Sequence, residues 1–353
     1  VVAADDLSDL VRLGSLTQAA ADFLAAAVAS GLNILVAGGT QAGKTTMLNC
    51  LAAAIPPHER VVTCEEVFEL QDMPQLQENE KSYVRTATEP VRAIIPAAGQ
   101  SHEPSLESIL HGRPVAMLDV NGKPVLQRHV EVLNALRIQE ICVITGHAHE
   151  TIDVEGVRKI HNADYQDTHI LDSIMTAETV LHGRILVLYS DVLVEKEMLE
   201  RLLECDDDIV LVVDSSYREA PRQDKLEGGD VVLVTAEQPP LEGRRVIRSG
   251  RINHVVKIGK HLDPLHSHFE YVGLALFSSK GIEAFKEAYH REKAAQREGP
   301  FNEADTFERA NLFDLLQTMI DGGQRVRAFE VHKGWSEIHT MADYEQVLEL
   351  VPV

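Results

Sequence analysis

Three features of this sequence place chemically capable residues where a phosphate or a charged ligand could be met. The first is Gly38-Gly39-Thr40-Gln41-Ala42-Gly43-Lys44-Thr45, which has the pattern GxxxxGK[ST] between a short apolar strand and a helix. Glycines there let the backbone wrap an anion while its N–H groups point inward at the helix N-terminus. Lys44 would reach the β and γ phosphates of a nucleoside triphosphate, and Thr45 would give its hydroxyl to Mg²⁺. Gly38, Gly43, Lys44 and Thr45 are therefore candidate nucleotide-binding residues. The second feature is Ile94-Ile95-Pro96-Ala97-Ala98-Gly99, a strand that runs into a turn of small residues. Small side chains at Ala97, Ala98 and Gly99 let a nucleotide lie close against the backbone at the carboxyl end of a first strand. The third is Asp191, just after the apolar run Ile185–Tyr189. Its carboxylate falls at a sheet's carboxyl edge, where it either caps the next helix or faces a ligand. The pairs His147/His149 and His266/His268 read as surface-loop histidines, since neither has an apparent third metal ligand.

Residues like these need a sheet to position them. Leu7–Ala29 reads as a helix, Asn33–Ala37 and Arg60–Cys64 as short strands, and Thr46–Ala54 as the helix after the glycine-rich turn. Gln71–Glu89 is dominated by polar residues and reads as a linker. The chain then divides into a partial P-loop segment over 1–72, a linker over 73–90 and a larger domain over 91–353. In that domain, strands at Ala93–Pro96, Ile141–Thr145, Ile185–Tyr189, Ile209–Asp214, Asp230–Thr235, Tyr271–Phe277 and Arg325–Val331 are separated by several helices. These fall at Val125–Leu136, Leu171–Leu181, Lys196–Glu204, Lys280–Arg291 and Leu312–Asp321. Such alternation predicts an α/β, Rossmann-like domain with a mixed, mostly parallel sheet.

Composition narrows the classes. The chain has 353 residues, 44% of them hydrophobic, with a formal charge of -22. That charge disfavours nucleic acid and anionic membranes as partners but welcomes a metal cation. No apolar run reaches the ~20 residues of a membrane span. The widely spaced Cys50, Cys64, Cys142 and Cys205 suggest neither a disulfide framework nor a zinc site. A cytoplasmic setting fits this usage, and a homo-oligomer is compatible with it. The chain begins at Val1 rather than Met, as a fragment of a longer product would.

The first 70 or so residues resemble the secretion ATPases of the type II/type IV pilus-assembly class. The likeness runs from Leu32-Asn33-Ile34-Leu35-Val36-Ala37 through Ile55-Pro56-Pro57-His58-Glu59-Arg60-Val61-Val62-Thr63. In that family an acidic pair after the second strand helps to polarise the attacking water, and Glu65-Glu66 stands there. The family's later acidic motif, arginines and histidine box are not recognisable after Gln71, which implies phosphate binding without autonomous turnover. From Val91 to about Tyr344 the chain resembles the sugar-phosphate and cytidylyl nucleotidyltransferases. The match is carried by Pro96–Gly99, Asp119-Val120-Asn121-Gly122-Lys123-Pro124, Thr145-Gly146-His147, Asn162 and Tyr165, Tyr189-Ser190-Asp191, Ile258-Gly259-Lys260, Tyr271–Ser278 and Trp335–Thr340. The likeness is greatest to the branch acting on phosphocholine or 2-aminoethylphosphonate.

The resemblance implies a Mg²⁺-dependent nucleotidyltransferase. A phosphate or phosphonate oxygen attacks the α-phosphorus of a nucleoside triphosphate, with CTP favoured, and pyrophosphate leaves. Asp191 would hold the metal. The family's second metal carboxylate is an Asp two residues after a Glu in an E-I-D-T motif; here that residue is His339, so Glu337 and His339 join Asp191 as candidate metal ligands. The family loop A-A-G-x-G-x-R here carries Ser101 and Glu103 at its second glycine and its arginine, and Val115 stands where a lysine follows Arg113-Pro114. Arg113 and Lys123 are the candidate catalytic cations, with Lys257 and Lys260 as further substitutes. Acidic residues such as Asp214 and Glu270 could hold an acceptor's ammonium group. The alternatives are a catalytically degenerate nucleotide-binding module and a secretion-ATPase fragment fused to it.

Overall fold

In a computed structural model of the chain, the described residues are 4, 6–29, 32, 34, 36, 43–55, 89–101, 103–218, 231–240, 252–295 and 299–351. The chain divides into two units, Val1–Thr88 and Glu89–Val353. In the first, the expected long helix is two: α1 (Leu7–Arg12) and α2 (Gln18–Ala29). Gly14 separates them at φ 73°, a left-handed conformation that glycine adopts without a Cβ penalty. Asp6 caps α1 by accepting from the Asp9 N–H at 2.8 Å. Helix α3 (Lys44–Ala52) starts behind Gly43, itself at φ 81°. Leu7, Leu10, Ala21, Cys50 and Leu51 form a small core. Gly38, the Thr45 hydroxyl, the strand expected at Arg60–Cys64, Glu65, Glu66 and residues 56–88 lie outside the described residues, as does most of Asn33–Ala37.

The second unit is built on a nine-stranded sheet. Its strands are β1 (Val91–Ala97), β4 (Glu140–Thr145), β5 (Arg158–His161), β6 (Arg184–Leu188), β8 (Ile209–Asp214), β9 (Leu233–Ala236), β10 (Asn253–Gly259), β11 (Phe269–Phe277) and β12 (Arg327–Val331). Two-stranded ribbons are formed by β2 (Asp119–Val120) with β3 (Lys123–Pro124), and by β7 (Val192–Val194) with β13 (Trp335–Glu337). The strand order is β5-β4-β1-β6-β11-β8-β12-β10-β9. Strand β1 is parallel to β4 and β6, whereas β11 runs antiparallel between β6 and β8, so the sheet is mixed.

The central strands are apolar on both faces because both are covered. Every residue of β8 and β11 is buried. One face packs under α6 (Ile170–Thr176), α8 (Ser279–Ala294) and α9 (Leu312–Asp321), through Leu171, Ile282, Phe285 and Leu316. The other packs under α5 (Val125–Ala135) and α7 (Lys196–Leu202), through Leu126, Val130, Leu133 and Leu199.

Several elements were absent from the sequence expectation. Strand β10 alternates irregularly and is bulged between Val255 and Lys257. Strands β7 and β13 are too short to show a period. Helices α4 (Pro104–Leu110) and α10 (Met341–Leu350) flank the site. The expected helix Leu171–Leu181 stops at Thr176, with a 3₁₀ turn at Glu178–Val180.

Candidate active site

The strands β1 and β6 are parallel neighbours, so the turn after Ala97 and the residues after Leu188 leave the same edge of the sheet. Just past β6, the chain enters the β7–β13 ribbon, in which Glu337 pairs with Val192. The Ile338 N–H donates to the Asp191 carbonyl at 2.9 Å. This register sets Glu337 beside Asp191. His339 follows, with its Nδ1 3.8 Å from the Glu337 Oε1. One ligand atom from each of Asp191, Glu337 and His339 lies within 4.8 Å of the others. His339 is held from behind by the cap of α10: the Asp343 carboxylate accepts from the N–H groups of His339 (3.1 Å) and Thr340 (2.8 Å).

Tyr189 packs beneath this cluster. Burial, then the negative field of Asp191, raises its phenol well above the usual range, so it stays neutral. Its ring meets Tyr271 edge-on at 6.0 Å. A Cβ at Gly273 would stand 2.9 Å from the Tyr189 ring, and Gly273 has φ 79°, so only glycine fits.

The loop after β1 and the loop after α4 are tied together by His147. Its N–H donates to the Ala98 carbonyl at 2.9 Å, and its Nε2 lies 2.9 Å from the Gly112 carbonyl. Gly146 permits that approach, since a Cβ there would lie 2.7 Å from the Ala98 oxygen. His147 is thus half-buried and structural, which corrects the surface-loop reading; His149 is exposed. Ala97 and Ala98 are buried and Gly99 is open. Arg113 adjoins Gly112, and its Nε donates to the Leu110 carbonyl at the end of α4.

Lys123 is not brought to this cluster by any contact. It projects from the β2–β3 ribbon, exposed, with its Nζ 2.8 and 3.0 Å from the Glu131 carboxylate oxygens. The substituted positions are also built in. Glu103 caps α4, accepting from the Ser105 hydroxyl at 2.7 Å and its N–H at 3.3 Å. Those bonds, with a smaller contribution from the field of His339, lower its carboxyl pKa. Val115 packs against the apolar cluster of Leu106, Leu110 and Leu118.

Lys260, one of the further candidate cations, stands in a loop held by an acidic residue. The backbone N–H groups of Lys260 and His261 are pinned by the Glu303 carboxylate at 2.6 and 2.9 Å. Partial desolvation, then the positive fields of Lys260 and Arg309, lowers the pKa of His169. His169 caps α6, in the loop that carries Asn162 and Tyr165, and the Tyr165 ring closes on Gly146. No spacing in the sequence signals that the fields of Lys260 and Arg309 reach His169. Lys257 is exposed on β10. Asp214 is not available to an acceptor: buried, it accepts from the Ser216 N–H and hydroxyl, the Lys333 N–H and the Trp335 indole N–H.

Residues 93–297 match the family described as MobA-like NTP transferase domain. The chain belongs to that family. It is a nucleotidyltransferase, and the CTP:phosphoglutamine cytidylyltransferase of Campylobacter jejuni is 21% identical to it over 276 residues, covering 73% of this chain and all of that protein. Solved structures sharing the fold include a CTP:phosphocholine cytidylyltransferase from Streptococcus pneumoniae (TM-score 0.53, 19% identity, 74% of this chain and 100% of that one). The inositol-1-phosphate CTP transferase from T. maritima is another (TM-score 0.53, 18% identity, 74% and 96%). Residues 3–96 of this transferase match the family described as Type II/IV secretion system protein. The type IV secretion system protein PtlH of Bordetella pertussis is 58% identical over 50 residues, which cover 14% of this chain and only 15% of that protein. No helix among the described residues is long and apolar enough to cross a membrane.

Proposed function

We propose that this transferase moves a cytidylyl group from CTP to a small acceptor bearing a phosphate or phosphonate, releasing pyrophosphate. The carrying observation is the β7–β13 register, which sets Asp191 beside Glu337 on the edge where the Ala97–Gly99 turn emerges. An acceptor oxygen attacks the α-phosphorus; a new P–O bond forms as the bond to the β-phosphate's bridging oxygen breaks, and pyrophosphate departs with that electron pair. The acceptor oxygen is already anionic, so no base is required. The protein's part is to position the reactants and offset their charge.

The small turn Ala97–Gly99 lets the triphosphate lie against the backbone. Lys260 and Arg309, whose positive fields both reach His169, are the cations offered to the acceptor's phosphate, and Arg113 stands at the loop that His147 joins to Ala98. Oxygen donors suit a hard dication such as Mg²⁺, so the carboxylates of Asp191 and Glu337 fit it. When bound, the ion offsets charge on the triphosphate. CTP is supported by the three relatives above, whose names specify CTP and phosphate-bearing acceptors. A reaction drawing on CTP belongs in the cytoplasm. The N-terminal segment is read as the phosphate-binding part of a secretion ATPase joined to this enzyme, since α3 starts at Lys44 behind left-handed Gly43.

Pyrophosphate release from CTP and Mg²⁺, measured across a panel of phosphocholine, 2-aminoethylphosphonate, inositol 1-phosphate and phosphoglutamine, tests this reading. At least one acceptor should give turnover that Asp191→Asn reduces by about 10³-fold, the size expected for lost charge stabilisation in the transition state. Release no greater than that of Asp191→Asn with every acceptor and every triphosphate would leave a nucleotide-binding module, the reading that Glu103 and Val115 favour.

A further inference from the structure

We infer that the site of Asp191, Glu337 and His339 selects a transition-metal dication that accepts nitrogen ligands, of the Co²⁺ kind, over Mg²⁺, through the imidazole of His339. The inference rests on the transferase reading above, because it concerns that reading's metal site. The donor set is two carboxylates and an imidazole, all within 4.8 Å. Metal–ligand bonds of ~2.0–2.2 Å put opposed donors about 4.2 Å apart, so these three atoms need little movement to share one ion. Imidazole nitrogen suits transition-metal dications, whereas Mg²⁺ keeps to oxygen and sheds its water reluctantly.

The backbone prepares His339 for this. Its N–H is fixed by Asp343, and its Nδ1 already faces Glu337 at 3.8 Å. Nδ1 is therefore the ring atom placed to join the two carboxylates around one ion.

The test uses the full chain stripped of metal with chelator. Co²⁺ is titrated in by its visible absorption, Mg²⁺ competes, and Mn²⁺ is followed by electron paramagnetic resonance for coupling to imidazole nitrogen. Co²⁺ is expected to bind at least ~100-fold more tightly than Mg²⁺, and His339→Asp to shrink that ratio by ~10-fold or more. A ratio unaltered in His339→Asp, with Mn²⁺ showing no nitrogen coupling in the parent protein, overturns the inference. Circular dichroism confirms that the variant folds. Pyrophosphate release is measured on the same samples. Turnover with an unaltered ratio removes this inference and keeps the transferase reading; an altered ratio with no turnover does the reverse.

Discussion

His129 illustrates how far one residue's state depends on its surroundings. It is 3% exposed in α5, with its Nε2 2.7 Å from the Val192 carbonyl. Burial lowers its pKa to about 4, outweighing the opposing effect of that hydrogen bond. The folded pKa lies below the unfolded value of 6.5, so the unfolded chain takes up the proton first. Stability is therefore full above pH ~6.5 and is lost as the pH falls toward about 4, by about 3 kcal/mol from this group alone. His129→Gln keeps a donor for the Val192 carbonyl and cannot be protonated. Urea unfolding midpoints at pH 7.5 and 5 should fall less in His129→Gln than in the parent chain; equal falls would mean that His129 is not the titrating group. The candidate residues themselves were partly legible. Asp191 and Glu337 stood out by motif. The fates of Lys123, spent on Glu131, and of Asp214, spent on Trp335 and its neighbours, were not: the first pair spans the β3–α5 junction, which no helical or strand spacing covers, and the second joins residues 121 positions apart.

At the scale of elements, the site depends on two joins. The first is the close approach of the β1 and β4 turns at Gly146. Gly146→Ala puts a Cβ 2.7 Å from both the Ala98 oxygen and the Tyr165 Cβ. Overpacking of this kind costs about 1–3 kcal/mol. It should also push the Ala98 turn out of place, so nucleotide affinity, read by calorimetry with CTP, is expected to drop by ~10-fold or more. The second join is the turn between β12 and β13, nailed to the end of β8 by Asp214. Its Oδ1 accepts from the Ser216 and Lys333 N–H groups at 2.9 and 3.1 Å, and its Oδ2 from the Ser216 hydroxyl and Trp335 Nε1 at 2.7 and 2.8 Å. Asp214→Asn turns one acceptor oxygen into a donor that faces donors, a loss of about 2–4 kcal/mol. Thermal unfolding should register that loss, and metal affinity should fall with it because Glu337 sits two residues beyond Trp335. Intact metal affinity in a destabilised Asp214→Asn would show that the ribbon holds its register without this nail. The longer strands and helices were readable because each carries a sustained period. The β7–β13 ribbon was not, since three residues show no period and their pairing spans almost half the chain.

For the whole molecule, the two units differ in how much apolar surface their described residues hide. Among the described residues of the N-terminal unit, Phe23 is 69% exposed and Leu32 60% exposed, beside a core of few residues. The larger unit has continuous cores on both faces of its sheet. A protein comprising Glu89–Val353 is therefore expected to fold and to release pyrophosphate within about twofold of the full chain, as an autonomous domain should. Turnover in the full chain that vanishes in Glu89–Val353 would give the N-terminal unit a part in the transferase reaction.

The sequence by itself determined the α/β class, the small-residue turn at Ala97–Gly99, the carboxylate at the end of a central strand, and the strongly acidic balance of the chain. Each is written locally, in a period, a motif or a count, so no fold is needed to read it. The tertiary structure alone decided the β7–β13 register that sets Glu337 and His339 beside Asp191, the tie of His147 to the Ala98 and Gly112 carbonyls, and the enclosure of Asp214 by Ser216, Lys333 and Trp335. Those pairings depend on register and on strand order, which bring together residues separated by scores of positions.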